Sequence, residues 1–394
     1  MTTKPIEKAD APVDHRPIDP PVWVSYTPLV VGAAIAWGVV YSLFAGRHTR
    51  FDELALGEET VTRLSFFGGQ KIHCIGLGND DEKCNQGAES RAMPNGVVLW
   101  LGNSQLHAIN QAEPSDRTAA YIAHQALLAD GIDLVANSLP NASLQEHYLV
   151  AESIRTRLPV RTLIVPAVFD DTRESGIREP VQPVFSEHET LVHLRETETG
   201  RRLIAEFEAA HAEAADDTNA DMAALDETVQ ERSETFLNDW MDAHSSVWAA
   251  RAEARGQIFN NLYLVRNSAF GINAQTVRPV IASRYSDNLQ ALRDMASLHA
   301  RANIRVIIYI APLRTDVTPP YIPEQYAQFQ ADVEQLCEET GAEFHNLGDI
   351  VPGEYWGVKA STAIGGVPEY DFMHFQEEGH QRLADAVVAA VRER

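Results

Sequence analysis

Ser104 and the pair Asp371-x-x-His374 are residues whose types and spacing can do covalent chemistry. A serine hydroxyl becomes a nucleophile when an imidazole accepts its proton and a carboxylate fixes the imidazole's tautomer from the other side. Asp371 and His374, in YDFMHFQEEGHQRLADAVV, stand close enough for one short loop before the last helix to orient base and orienter together. Ser104 lies in VVLWLGNSQLHAIN, where an apolar run from Val97 to Trp100 meets a Gly102-Asn103 turn and a helix-like pattern follows. Two readings of that corner stand side by side. In one, Gly-Asn makes the turn and Ser104 caps the helix. In the other, the corner lifts a nucleophile above a sheet and aims backbone N–H groups at the same point.

Further residues are candidates around that pair. His107 stands one helical turn from Ser104, and either approaches the substrate or packs on its helix face. Arg314, in IAPLRTD, follows a strand at the edge where α/β sheets bind ligands, and can hold an anionic substrate group; a salt bridge to Asp316 is the alternative. His73, Cys74 and Cys84 have no fourth ligand at zinc-site spacing, so no metal is expected there. GNSQLH lacks the further glycines and the lysine of a phosphate loop, and no cofactor is expected. His380 opens the last helix and reads as a surface residue.

The elements that must position these groups alternate. VVLWLG, IDLVANSLP, VRTLIVPAVF, IRVIIYIAP and AEFHNLGDIV read as strands, separated by stretches with apolar residues at helical spacing. Such alternation predicts an α/β fold, a parallel sheet covered on both faces as a three-layer sandwich. After Gly102-Asn103, the stretch from Ser104 to Gly131 reads as one or two helices. Residues 185–261 are Ala- and Glu-rich, with apolar residues at helical spacing, and read as a helical insertion that packs on its own domain or on a partner. The core is therefore expected in two pieces, 93–184 and 262–394.

Composition narrows the partners. The 394 residues carry 32 Lys+Arg against 56 Asp+Glu, a formal net charge of -24. Phosphate backbones need a cationic surface, so nucleic acid is excluded. Residues 1–22 are rich in Pro and charge and read as a disordered tail. WVSYTPLVVGAAIAWGVVYSLFAG, residues 23–46, runs without a charge, is long enough to span a bilayer, and has aromatic residues near its ends. A transmembrane anchor is expected there, with a cleaved signal peptide as the rival reading. Residues 47–92 form a membrane-proximal segment in which Cys74 and Cys84 can close a small disulfide loop. That loop would need an oxidising compartment, which places the bulk of the chain outside the cytoplasmic membrane. Cys337, on an apolar helix face, reads as a buried thiol.

Strand-GNS-helix early and Asp-x-x-His before the final helix resemble the first and last motif blocks of the SGNH (GDSL-like) hydrolase superfamily. The resemblance covers roughly 97–184 and 262–394 and implies Ser104 as nucleophile, His374 as base and Asp371 as orienter. It also implies an oxyanion hole built from the Ser104 N–H, a donor after the second strand and an Asn after the third. Here Asn141 stands near the place of the family's Gly, and Asn137 offers a side chain. After the third strand comes Val168-Phe169-Asp170-Asp171, without an Asn. The anchor makes the chain similar to membrane-tethered members, the D-alanyl transfer protein of teichoic-acid synthesis (DltD-like) and the alginate O-acetylation proteins. That likeness implies a membrane-bound O-acyltransferase as partner and a polysaccharide or surface polymer as acceptor. Two functions follow from it. One is a serine acyltransferase or esterase, and the other a non-catalytic subunit that docks the acyltransferase.

Overall fold

The computed structural model describes residues 60–91, 93–221, 265–359, 361 and 367–393. The tail, the expected anchor at 23–46 and much of the expected insertion lie outside these residues. Among the described residues no helix is long and apolar enough to cross a membrane.

The chain enters through four short strands, β1 (Thr60–Thr62), β2 (Phe66–Phe67), β3 (Gln70–Lys71) and β4 (His73–Ile75), followed by α1 (Asn79–Arg91). The run then continues through β5 (Val97–Gly102), α2 (Ser104–His107), β6 (Ala108–Asn110), α3 (Ala119–Leu128), β7 (Asp133–Ser138), α4 (Leu144–Arg157) and β8 (Val160–Ala167). Helices α5 (His188–Leu194) and α6 (Glu198–Asp221) follow, and later α7 (Ala282–Arg301), β9 (Arg305–Ile310), α8 (Pro323–Thr340) and β10 (Glu343–Asn346). The chain closes with β11 (Trp356–Lys359), β12 (Glu369–Phe375) and α9 (Glu377–Arg392).

Six strands form one parallel sheet in the order β10-β9-β8-β5-β7-β4. Strand alternation sends Val97, Leu99 and Leu101 to one apolar cluster and Val98 and Trp100 to another. Tyr148 and Leu149 of α4, Leu292 and Met295 of α7 and Phe329 of α8 line the first. Ala123 and Leu127 of α3 and Leu383 and Val387 of α9 line the second. Strands buried on both faces need apolar residues at successive positions, which is why VVLWLG and VIIYI are continuous apolar runs. The chain leaves β5 for β7 on one side and returns to β8 on the other. That reversal falls between β5 and β8, and the carboxyl ends of strands at such a point are the usual ligand site of an open α/β sheet.

Three sequence expectations change. The stretch 60–91, read as part of a segment ahead of the core, contributes to the core itself: β4 is the edge strand of the central sheet, with His73 opposite Ala136, and Cys74 is bridged to Cys84 of α1. The helix at Ser104 stops after one turn, because Ala108–Asn110 pairs antiparallel with β1, Asn110 opposite Thr60. Asp371 and His374 lie on a strand and not a loop, since β12 pairs with β11, Trp356 opposite Phe375. Of the expected insertion, α5 and α6 are described, and their Leu194, Leu203 and Ile204 pack into the domain's own core.

Candidate active site

β5 ends at Gly102, and a Cβ there would lie 2.6 Å from Leu106 Cδ2, so only glycine lets α2 fold back over its own strand. Asn103 is the N-cap, its Oδ1 accepting the Gln105 N–H at 3.0 Å. This corrects the capping reading of Ser104: the serine is the first helical residue, and its hydroxyl is free for other work. Asn103 Nδ2 donates to Asp171 Oδ1 at 3.2 Å and to Oδ2 at 3.3 Å. The Asp after the third strand therefore faces the cap residue of the serine's turn.

Each remaining side chain of α2 is fixed separately. Gln105 Nε2 donates to the carbonyls of Pro312 and Met373, both at 3.0 Å. Leu106 packs in the core under α3. His107 Nδ1 lies 2.7 Å from Ser138 Oγ, which also lies 2.7 Å from His73 Nε2.

Across from this turn, β12 delivers the other two groups. His374 Nε2 lies 2.9 Å from Ser104 Oγ, and His374 Nδ1 lies 2.9 Å from Asp371 Oδ2. An ionised carboxylate only accepts, so Nδ1 carries the proton and Nε2 is left to accept the serine's O–H. Asp371 Oδ1 accepts the N–H groups of Met373 at 2.8 Å and His374 at 3.0 Å. Oδ2 also accepts from Asn110 Nδ2 at 3.1 Å. Burial opposes the charge on Asp371, but the neighbouring His374 and these hydrogen bonds outweigh it and hold the carboxyl down at about 2. The three residues are closed in, Ser104 7%, His374 6% and Asp371 2% exposed. A hydroxyl, an imidazole and an ionised carboxylate in one line can pass a proton from serine to imidazole while the serine oxygen attacks an acyl carbon.

The structure places the other candidates differently. The Ser104 N–H, at the first position of α2, has no intrahelical carbonyl and is free to donate. Asn137 is turned away: its amide donates to the Gly76 carbonyl at 2.7 Å and joins the end of β7 to the chain beyond β4. Asn141 occupies the left-handed region with φ 51°, in a turn closed by Ala142 N–H to Leu139 O at 3.1 Å. That turn is held beside the serine's strand by Leu139 N–H to Gly102 O at 2.9 Å.

Arg314 is not open to a substrate anion. Its guanidinium holds Asp316 with two hydrogen bonds of 2.8 and 3.0 Å, donates to Gly357 O at 2.7 Å and lies over the Tyr370 ring. A planar fork that meets a carboxylate two residues away is satisfied locally. His107 is likewise structural, buried against Ser138, with desolvation keeping its imidazole neutral. His380 is not at the surface. It accepts the Ala119 N–H at Nδ1 and donates to Ala108 O from Nε2, both at 3.2 Å, and burial lowers it to about 3.

Sequence reasoning missed Asn110, Gln105 and Gly357. Asn110 sits in a stretch with helical spacing, and only its pairing with β1 turns its amide toward Asp371. Gly357 matters through close approach, since a Cβ there would fall 1.7 Å from Asn110 Oδ1. Among the described residues no group of His, Cys, Asp and Glu is arranged to hold a metal ion.

No protein-family model matches the chain, and no curated protein matches it. Solved structures do resemble it. An acetylxylan esterase from Geobacillus stearothermophilus is 10% identical, covering 77% of this chain and 97% of that one, with a TM-score of 0.37. An inferred acylhydrolase from Bacteroides fragilis is 9% identical, covering 79% of this chain and 95% of that one, with a TM-score of 0.35. Likenesses this weak leave the reading of the site to its own geometry.

Proposed function

We propose that the protein is a serine acyltransferase or esterase that carries an acyl group on Ser104. The observation that carries this reading is the unbroken hydrogen-bond line from Ser104 Oγ through His374 to Asp371. His374 Nε2 takes the Ser104 proton as Oγ bonds to the carbonyl carbon of an O-acyl ester. The tetrahedral intermediate collapses, the ester C–O bond breaks, and the departing alkoxide takes that proton from His374. A sugar hydroxyl or a water then gives its proton to His374 and attacks the acyl-serine, and the proton returns to Ser104. The Ser104 N–H and the Asn141 turn are the candidate oxyanion donors.

Asp171 bears on the choice of acceptor. Its carboxyl is spent on Asn103, so the third-strand amide that would complete the oxyanion hole has no counterpart there. A weaker hole suits a dedicated transferase with a positioned acceptor better than a fast general esterase. The acceptor we infer is a polysaccharide or surface polymer outside the cytoplasmic membrane, reached with a membrane-bound O-acyltransferase as partner. The charge-free run 23–46 supports anchoring, and the Cys74–Cys84 bridge supports an oxidising compartment. The deciding experiment exposes the detergent-solubilised full chain to a fluorophosphonate and to p-nitrophenyl acetate. Labelling and turnover in the wild type, both lost in Ser104→Ala and His374→Ala, establish the nucleophile. A folded wild type that neither labels nor turns over leaves the protein as a non-catalytic subunit of such a complex.

A further inference from the structure

Asp371 has a neighbour that neither the motif nor the reaction scheme uses. Asn110, fully buried at the end of β6, points its amide nitrogen at three oxygens. These are Asp371 Oδ2 at 3.1 Å, Val358 O at 3.0 Å and Thr60 Oγ1 at 3.2 Å. We propose that Asn110 is a positioning residue for the acyl-transfer reaction, fixing the Asp371 oxygen that His374 uses, and that β11 and β1 exist in part to seat it. The proposal rests on the serine-enzyme reading above.

Three observations support it. The contact falls on Oδ2, the same oxygen that receives His374 Nδ1–H, and not on Oδ1, which the backbone already saturates with two N–H groups. Without Asn110 the carboxylate would keep a free lone pair and a rotational freedom that moves the imidazole away from Ser104. The seat is also built from both sides. Gly357 leaves no room for a Cβ against Asn110, and Arg314 grips the Gly357 carbonyl. Thr60, opposite Asn110 in the β1–β6 pair, takes the amide from the far side. Finally, an amide N–H puts the positive end of a dipole on Oδ2, which favours the carboxylate form of Asp371. The other titratable groups around Asp371 and His374 are Lys359 of β11 and the buried His107 and His380, the two histidines kept neutral by burial.

The test compares full-chain wild type with Asn110→Ala and Gly357→Ala, the second leaving Asn110 intact while pushing its amide aside. Fluorophosphonate labelling, p-nitrophenyl acetate kinetics and the pH profile of kcat/KM are read together, with circular dichroism checking the fold. Both variants are expected to lose about 10- to 100-fold in kcat with KM nearly unchanged. The acidic limb of the profile should move to higher pH in Asn110→Ala, a shift that loss of packing alone would not produce. If one variant fails to fold, the other decides the question. Wild-type kcat and an unmoved limb in a folded variant overturn the role of Asn110 while the labelled wild type leaves Ser104 standing. A wild type that does not label removes the serine-enzyme reading itself.

Discussion

The Gln105 side chain donates at 3.0 Å to the Met373 carbonyl, so one hydrogen bond joins the neighbour of the nucleophile to the neighbour of the base. Its second bond, to Pro312 O, reaches the loop after β9. Removing the amide takes its donor from the buried Pro312 carbonyl and the part-buried Met373 carbonyl. Gln105→Ala is expected to lower stability by about 1–3 kcal/mol, read from the urea midpoint. It should also slow Ser104 acylation more than it weakens substrate binding, since the Ser104–His374 distance is what it guards. Equal effects on kcat and KM would argue for general loosening instead.

Gly102 is the tightest point of the nucleophile's corner. The Gly102→Ala methyl would meet Leu106 side-chain atoms at 2.6 and 2.7 Å, and Leu106 is itself packed in the core. Overpacking of this kind costs about 1–3 kcal/mol and must shift α2. Phosphonate labelling should fall sharply in a protein that still melts cooperatively. Undiminished labelling would show that α2 tolerates the shift.

Asp371 and Asp171 should drive stability in opposite directions with pH. Asp371, held at about 2 against an ordinary 3.8, contributes stability that is present above the ordinary value and lost as pH falls toward 2. The difference amounts to about 2 kcal/mol and should vanish in Asp371→Asn. Asp171 is raised, chiefly by burial, with His147 and Asn103 pulling the other way. Its contribution is intact below 3.8 and declines as pH rises above it. Asp171→Asn, which can still accept from Asn103, should therefore gain on the wild type as pH rises above 3.8. Urea midpoints taken from about pH 2 to 4 check the sign for Asp371, and midpoints above about pH 4 check it for Asp171.

The Cys74–Cys84 bridge ties the edge strand to α1 across ten positions of sequence. A loop of that length is worth about 2–3 kcal/mol in the chain-entropy account. Cys74→Ser with Cys84→Ser should lower the melting temperature without removing Ser104 labelling. Cys337 is buried, and burial pushes its thiol up to about 12. It should react with a thiol reagent only on unfolding.

The sheet was legible because strands covered on both faces cannot afford polar residues, so VVLWLG and IRVIIYI announce themselves. Ser104, Asp371 and His374 were legible by type and by order along the chain, and the structure brings them together. The rest depended on pairings that no local pattern contains. Asn110 sits in AINQ, where helical spacing is as good as strand spacing, and only β1 decides between them. Asn137 and Arg314 carry donors suited to substrate, yet register hands one to Gly76 and a two-residue turn hands the other to Asp316. His380 looked like a surface residue because a helix start is usually wet; here α9 begins against α3 and buries it.

β8 and β9 lie side by side in the sheet, paired from Thr162 opposite Arg305 to Ala167 opposite Ile310, though the chain between them is long. A break between Asp221 and Val265 would give one fragment with Ser104 and four sheet strands, and another with Asp371, His374 and the remaining two. Each fragment alone has an incomplete proton path and an open sheet edge. Mixed, they can re-form the β8–β9 seam and with it the distance from His374 to Ser104. A phosphonate signal from the mixture would then report the joining of the two halves, since neither piece can give it alone.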